Sequence, residues 1–400
     1  MNPSQFLKAR AIALGFDLVG IAPADALPDL EFSRQWVAAG NGGQMTYLAN
    51  PKRDDPRCVL PSVQSVVCAA LVYNTPLPYS TEMRAEADEN PQAPAPPRAW
   101  ISRYAWGADY HEVMRAKLEL LRGEIELLGE RIETRVYVDT GPIVERAFAR
   151  YSGIGWTGKN TCLISQQKGS WFFLGVILTN LALAPDLPAP DRCGSCTRCL
   201  DACPTGALTA SYVMDASRCI AYFTIELKGS IPQEFRPAIG NNVYGCDICQ
   251  DVCPWNSVSE VRSSISRRSS SAAPRREAAT TERPEFQPLR IDAAQEETRE
   301  APPPRARHTP PRFSLFNPPL AALASIGEDQ FRRVFARSPI KRAKFRGWLR
   351  NLCVAIGNSG DPSFIPWLRR ISGCGDEIIR EHADWALQRL HAPAQAVERR

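Results

Sequence analysis

The chain has no apolar run long enough to cross a bilayer. Its longest candidate, from Trp171 to Ala184, includes Thr179 and Asn180 and falls short of the ~20 residues a spanning helix needs. The first ten residues, Met1 to Arg10, lack the basic-then-apolar layout of a secretory signal, so a cytosolic protein without membrane attachment is expected. Charge of one sign is also missing: 48 basic against 43 acidic side chains leave a net +5, and overall charge therefore selects no partner. With 44% hydrophobic and 23% charged residues, the composition excludes a wholly disordered or fibrous chain. At roughly 150 residues per domain, 400 residues suggest two or three domains.

What the chain has in abundance is cysteine, and unevenly. Eight of its thirteen cysteines crowd between Cys193 and Cys253. Thirteen cysteines in an exported protein would suggest disulfides, but nothing here points to export. Cys193-x2-Cys196-x2-Cys199-x3-Cys203-Pro204 matches the bacterial ferredoxin run, whose fourth cysteine ligates the other of two clusters. The run Cys246-x2-Cys249-x3-Cys253-Pro254 lacks the usual middle cysteine, and Cys219 takes its place. Crossover then assigns Cys193, Cys196, Cys199 and Cys253 to one [4Fe–4S] cluster, and Cys203, Cys219, Cys246 and Cys249 to a second. Structural zinc also uses four thiolates at CxxC spacing. It explains neither three cysteines at successive CxxC steps nor the Cys-Pro after each run. The remaining cysteines, Cys58, Cys68, Cys162, Cys353 and Cys374, are scattered and read as small apolar filler.

Ahead of the cysteines, residues 1–188 alternate helical and extended patterns. Ser4 is placed to cap a first helix that stops near Gly15. Strands are expected over Asp17–Ile21, Val66–Tyr73, Arg135–Val138 and Trp171–Leu178. Apolar residues at 114, 118, 121, 125 and 128 define one face of a helix, and Ile143–Tyr151 forms another. This half is α/β.

Residues 80–98 form a surface loop rich in Ala, Pro and Glu. The stretch 257–312, dominated by Ser, Arg, Glu, Ala and Pro, is expected to be a disordered linker. From 313 helical patterns return: Trp348–Ile356 ending at Gly357-Asn358, a second helix after Asp361-Pro362, and a third over Glu377–Leu390. The order resembles HEAT-type repeats, too few to stand alone.

Four further features have to be weighed. Gly153-Ile-Gly155-Trp-Thr-Gly158-Lys159 satisfies GxGxxG, but a nucleotide loop follows a strand and opens a helix. Here the helix comes first. Asp139 ends a strand, where ligands of α/β sheets bind, although from the residues alone capping the next helix is the slightly favoured reading. His111, at a helix start, could donate a proton but is read as structural. Phe331–Arg350 carries eight basic residues and no acidic one, a pattern suited to a phosphate backbone.

Arg103-Tyr-Ala-Trp-Gly-Ala-Asp-Tyr-His111, Val138-Asp-Thr-Gly-Pro142, Gly153–Asn160, Arg218–Gly229, Ser338-Pro-Ile-Lys-Arg342 and both cysteine runs together resemble the epoxyqueuosine reductase family. The resemblance spans nearly all of 1–258 and 313–391. It implies an oxidoreductase that reduces the epoxide of epoxyqueuosine to the cyclopentene of queuosine, at wobble position 34 of GUN anticodons. The acceptors would be the tRNAs for Asp, Asn, His and Tyr. Two [4Fe–4S] clusters would feed cobalamin, and a low-potential donor such as flavodoxin or ferredoxin would feed the clusters.

By the same resemblance Asp139 is the proton donor, kept protonated by burial beside the corrin. Ser102, Asp139, Lys159, Asn160 and Thr161 contact cobalamin, Ser102 at a position that faces the cobalt in relatives. Lys341, Arg342 and Lys344 bind tRNA. The implied architecture is an α/β N-terminal domain of the cobalamin-binding, nitroreductase or reductive-dehalogenase type (1–188) and an inserted ferredoxin-like two-cluster domain (189–256). A linker (257–312) and a C-terminal all-α HEAT-like domain (313–400) follow, in a monomer.

Overall fold

A computed structural model describes residues 2–83, 96–256, 279–292 and 312–391. The central part of the 80–98 loop, and residues 257–278 and 293–311 of the expected linker, lie outside the described residues. The chain divides into two compact units: Met1–Thr81, Asp109–Ser217 and Asp247–Phe286, and Glu82–Ala108, Arg218–Cys246 and Gln287–Arg400.

The first unit is built on a four-stranded sheet in the order Leu18–Pro23, Ser65–Val72, Phe172–Thr179, Thr134–Tyr137. All four expected strands are present, shifted by a residue or two. Every pairing is antiparallel, so the alternation of helix and strand does not produce the parallel crossovers that usually accompany it. Ser65–Val72 is buried along its whole length, which explains why it reads as a continuous apolar run rather than an alternating one.

Helix Tyr110–Glu126 buries Met114, Leu118, Leu121 and Ile125, the stripe its periodicity announces, against the sheet. Contact is close at Gly175, where a Cβ would fall 2.4 Å from Leu118 Cδ1. Helix Glu145–Tyr151 packs with Ala147, Phe148 and Ala149 buried in a core shared with Ala22, Val66, Cys68 and Val176. The first helix, Pro3–Ala13, is capped by Asn2 rather than Ser4, the Asn2 side chain accepting from the Gln5 amide at 2.8 Å. Ser4 Oγ instead accepts from the Ala184 amide at 2.8 Å.

Part of the expected linker is ordered. In the first unit Asn74 Nδ2 donates to the Ala279 carbonyl at 3.1 Å, Arg283 pairs with Asp17 at 2.6 Å, and Phe286 is buried. In the second, Arg290–Asp292 pairs antiparallel with Arg312–Ser314. Composition alone hid Phe286 and Ile291, the two apolar side chains that anchor this piece.

The second unit is mainly helical, with Lys344–Ser359, Ile365–Ser372 and Glu377–His391 in succession. A short parallel pair, Trp100–Ile101 with Asn242–Tyr244, lies in the same unit. The long helix runs through Gly357-Asn358, the expected stop, and ends at Gly360 with φ +70°, the left-handed C-terminal position glycine favours. Gly357 serves packing: a Cβ there would lie 2.7 Å from the Trp385 ring and 2.9 Å from Ala386 Cα. Arg350, counted from sequence in the basic patch, is 2% exposed. Its guanidinium donates to the carbonyls of Leu227 and Gly229, both at 2.7 Å, and to that of Phe223, a core clamp on the π-helical turn Tyr222–Glu226. Among the described residues no helix is long and apolar enough to cross a membrane.

Candidate functional site

Asp139 stands at the end of strand Thr134–Tyr137, in a turn whose tightness is set by Gly141: a Cβ there would enter the Tyr137 ring at 2.1 Å. Asp139 itself has φ +57°, a left-handed conformation that Asp tolerates better than most residues. Its side chain is 63% exposed. The burial expected to keep its proton in place is therefore not provided by the chain. Tyr110 and His111 bond to it instead. Tyr110 donates its hydroxyl to Asp139 Oδ2 at 2.8 Å, and His111 Nε2 lies 3.3 Å from the same oxygen. The other ring nitrogen of His111 is 2.7 Å from Oδ1 of Asp109, which is buried and caps helix Tyr110–Glu126.

An aromatic stack fixes this geometry. Phe173 of the central sheet lies flat on Tyr110 at 4.3 Å, and Tyr110 lies on His111 at 4.0 Å. Burial disfavours a charged imidazole, but the hydrogen bonds to Asp109 and Asp139 outweigh it and raise the His111 pKa to about 9. His111, expected to be structural, is thus an imidazolium at neutral pH in contact with the candidate acid. A further carboxyl, passed over in the sequence, stands nearby. Glu145 Oε1 is buried with no hydrogen-bond partner among the described residues. Burial pushes this acid up to about 7, with Asp139 pushing the same way and Arg53 opposing. A glutamate in the first turn of a helix ordinarily faces solvent, so nothing in the pattern marked it.

The glycine loop supports the cysteine runs rather than a phosphate. Helix Glu145–Tyr151 precedes it, Gly153 takes φ +76°, and Trp156–Thr157 pairs with Leu163–Ile164. A Cβ on Gly155 would sit 2.3 Å from the Ile164 carbonyl oxygen, so this glycine is required by the hairpin itself. Lys159 Nζ donates to the carbonyls of Gly194 at 2.6 Å and Cys196 at 3.1 Å. Buried Asn160 donates to the Cys249 carbonyl at 3.2 Å and accepts from the Cys162 amide at 3.2 Å. Thr161 has φ +63° and offers its carbonyl to Arg146 at 2.8 Å. Ser102, in the second unit, is 3% exposed, and its amide donates to the Tyr244 carbonyl at 2.7 Å. Of these residues and Asp139, only Asp139 is largely exposed, and the polar groups of Lys159 and Asn160 already have protein partners.

None of the thirteen cysteines is in a disulfide. Burial pushes the Cys253 thiol up to about 12, and Cys162, Cys193 and Cys199 push in the same direction. Cys199 is raised likewise by burial and then by Cys196 and Cys193. Cys193 thus lies close enough to act on both Cys253 and Cys199, and Cys196 on Cys199, which brings thiols assigned to one cluster into one neighbourhood of the first unit. Trp156 and Ile164 pack on Cys253, with Trp255 edge-on to Trp156 at 5.0 Å, an apolar shell of the kind that tunes a redox centre. Thiolate sulfurs beside such a shell are the donor chemistry an iron–sulfur cluster takes, although among the described residues no three His, Cys, Asp or Glu side chains converge on a single metal position. Cys162 is no mere filler: its thiol is hydrogen-bonded to Cys249, which holds its pKa below the usual value. Cys68, by contrast, is a core thiol pushed up to about 12 by burial.

A family model for a 4Fe-4S double cluster binding domain matches residues 192–256, and one described as epoxyqueuosine reductase QueG, DUF1730, matches residues 53–140. The epoxyqueuosine reductase of Pseudomonas aeruginosa is 37% identical over 393 residues, covering 96% of this chain and 94% of that protein. This chain belongs to the epoxyqueuosine reductase family. The Gloeobacter violaceus member is 40% identical over 358 residues, 89% of this chain and 96% of its own length.

Among solved structures, an epoxyqueuosine reductase with an epoxyqueuosine-modified tRNA-Tyr stem loop superposes with TM-score 0.76 at 30% identity. It covers 98% of this chain and 90% of that one. A Bacillus subtilis structure, described as having its catalytic aspartate loop swung out of the active site, gives TM-score 0.75 at 30% identity, covering 98% and 91%. The chain is accordingly an oxidoreductase of queuosine synthesis with two [4Fe–4S] clusters, an epoxyqueuosine reductase by family.

In the second unit the basic stretch is less uniform than its sequence. Lys341, Arg342, Lys344 and Arg346 are exposed. Arg342 pairs with Glu226 at 2.5 Å and Arg346 with Asp376 at 2.6 Å. Lys228, distant in sequence, joins them: burial lowers its pKa, and Arg342, Arg350 and Lys344 lower it further. A single lysine after an apolar turn gave no signal that it would share a surface with residues more than a hundred positions away.

Proposed function

We propose that the chain reduces the epoxide of epoxyqueuosine at position 34 of GUN-anticodon tRNAs, those for Asp, Asn, His and Tyr. The reaction takes two electrons and two protons, leaves the cyclopentene of queuosine and releases the epoxide oxygen as water. The single observation that carries this reading is the pairing of Asp139 with His111 in a chain related over nearly its whole length to epoxyqueuosine reductases.

Cluster one takes Cys193, Cys196, Cys199 and Cys253, and cluster two takes Cys203, Cys219, Cys246 and Cys249, following the ferredoxin crossover. A flavodoxin or ferredoxin supplies electrons. Cobalamin, which the family resemblance implies, would supply a strongly reducing cobalt centre when bound, with Ser102, Asp139 and Thr161 as its proposed contacts; the side-chain polar groups of Lys159 and Asn160 are already engaged by Gly194, Cys196 and Cys249.

The protons are the chain's own business. His111 holds one on Nε2, next to Asp139 Oδ2. The exposed Asp139 carboxyl passes it to the departing oxygen, and Asp109 and Tyr110 keep the imidazole and carboxylate aligned. A general acid must hold its proton at the working pH. The His111 site meets that requirement at neutral pH.

In this arrangement residues 1–188 form the cobalamin- and substrate-binding domain, 189–256 the ferredoxin-like domain, and 313–400 the HEAT-like tRNA-binding domain of a cytoplasmic monomer. Lys341, Arg342 and Lys344 contact the RNA backbone, a sequence-independent grip that leaves the modified base free to be splayed out. The test is an anaerobic assay on tRNA from cells blocked at the epoxide, with and without added cobalamin. Conversion to queuosine that requires cobalamin supports the reading, and no conversion under either condition overturns it.

A further inference from the structure

Lys159 is held in place from three sides. Its carbonyl accepts from the Tyr212 amide at 3.1 Å. The adjacent Asn160 is buried and tied to the Cys249 carbonyl. Its own ammonium donates to the Gly194 and Cys196 carbonyls. Both carbonyls lie in the loop that carries Cys193, Cys196 and Cys199. Beside them stands Asp191, which accepts from the Cys193 amide at 2.7 Å and from the Tyr212 hydroxyl at 2.5 Å. The Lys159 ammonium, the Asp191 carboxyl and three proposed cluster thiols therefore meet at one loop. The basic side chains of this loop itself, Arg192 and Arg198, are exposed, so water screens them more strongly than it screens the half-buried Lys159.

We propose that Lys159 is a positioning residue that raises the reduction potential of the cluster held by Cys193, Cys196, Cys199 and Cys253, its ammonium acting through the loop carbonyls of Gly194 and Cys196. The inference rests on the two-cluster reading. Reduction adds one electron, and so one negative charge, to the cluster. A fixed cation stabilises the reduced form relative to the oxidised one, and potentials of such clusters respond to net charge and hydrogen bonding around the sulfurs. Lys159 makes its bonds to backbone oxygens that lysine alone, among neutral and acidic alternatives of this length, could satisfy while supplying charge.

The experiment is a dithionite titration of the anaerobically reconstituted full-length protein, followed by electron paramagnetic resonance in the presence of redox mediators, on wild type, Lys159→Met and Lys159→Arg. Lys159→Met should make one of the two cluster signals at least tenfold harder to reduce, about 59 mV more negative for one electron, with the other signal unmoved. Lys159→Arg should stay close to wild type. Wild-type potentials for both clusters in Lys159→Met, with iron content intact, would overturn the proposal. If Lys159→Met assembles only one cluster, Asp191→Asn decides: it keeps the oxygen that accepts from the Cys193 amide but removes the charge, and should make the same signal easier to reduce. No shift there overturns the proposal as well. A wild-type protein that binds no iron would instead sink the cluster reading beneath it.

Discussion

His111 Nε2 and Asp139 Oδ2 face each other across 3.3 Å, a raised-pKa imidazole against an exposed carboxyl, with Tyr110 bonded to the same oxygen. Asp139→Asn preserves the left-handed turn, since Asn accepts that conformation as readily as Asp, and removes the group that relays the proton. Turnover should fall by roughly a hundredfold or more while iron content and tRNA affinity stay unchanged. Single-turnover kinetics with filter binding as the control checks this. Near-normal turnover would move the acid to another residue.

The His111 pKa of about 9 fixes the sign of a pH effect. Its folded value lies above the ordinary 6.5, so the stability it contributes is fully present below about pH 6.5 and is lost as pH rises through 9. Denaturant titrations of wild type and His111→Gln across pH 6 to 10 should show a gap that closes with rising pH. A gap that widens towards pH 10 would mean that the imidazole is neutral in the folded protein.

Lys341 and Lys344 are exposed, whereas Arg342 balances Glu226. Replacing Lys341 and Lys344 together with Gln should weaken tRNA binding and reduce the slope of log affinity against log salt by roughly 1 to 2. Arg342→Gln should weaken binding too, and by leaving the Glu226 charge exposed to the RNA. An unchanged slope in the double variant would return the patch to ordinary surface.

Gly357 tests the helical packing of the second unit. Alanine gains up to about 1 kcal/mol of helix propensity, but its Cβ meets Trp385 at 2.7 Å and Ala386 at 2.9 Å, and overpacking costs about 1–3 kcal/mol. The clash wins, so Gly357→Ala should lower the melting temperature of the protein rather than raise it. A rise would show that the helices separate easily at that point.

The sequence made some of this plain and hid the rest for identifiable reasons. Cysteine spacing carries cluster chemistry because the ligands must recur at fixed short intervals, and helix Tyr110–Glu126 was legible because its buried face repeats at helical spacing. Pairing direction was not: the run Ser65–Val72 is apolar whether its neighbours are parallel or antiparallel. Arg350 counted as a surface charge because burial of an arginine depends on carbonyls at 223, 227 and 229, far away in the chain. Gly357 looked like a terminator because the Trp385 that requires its small size is likewise remote. Lys159 resembled part of a phosphate loop until its partners, Gly194 and Cys196, were in view. His111 was undervalued because its charge depends on two carboxylates, only one of which, Asp109, is a sequence neighbour.

Iron and sulfide analysis of pure, oxygen-protected protein tests the central claim most directly. Two cubes require about eight irons and eight sulfides per chain, with a brown colour that fades on reduction. A colourless chain holding about two zinc ions and no sulfide would contradict the account.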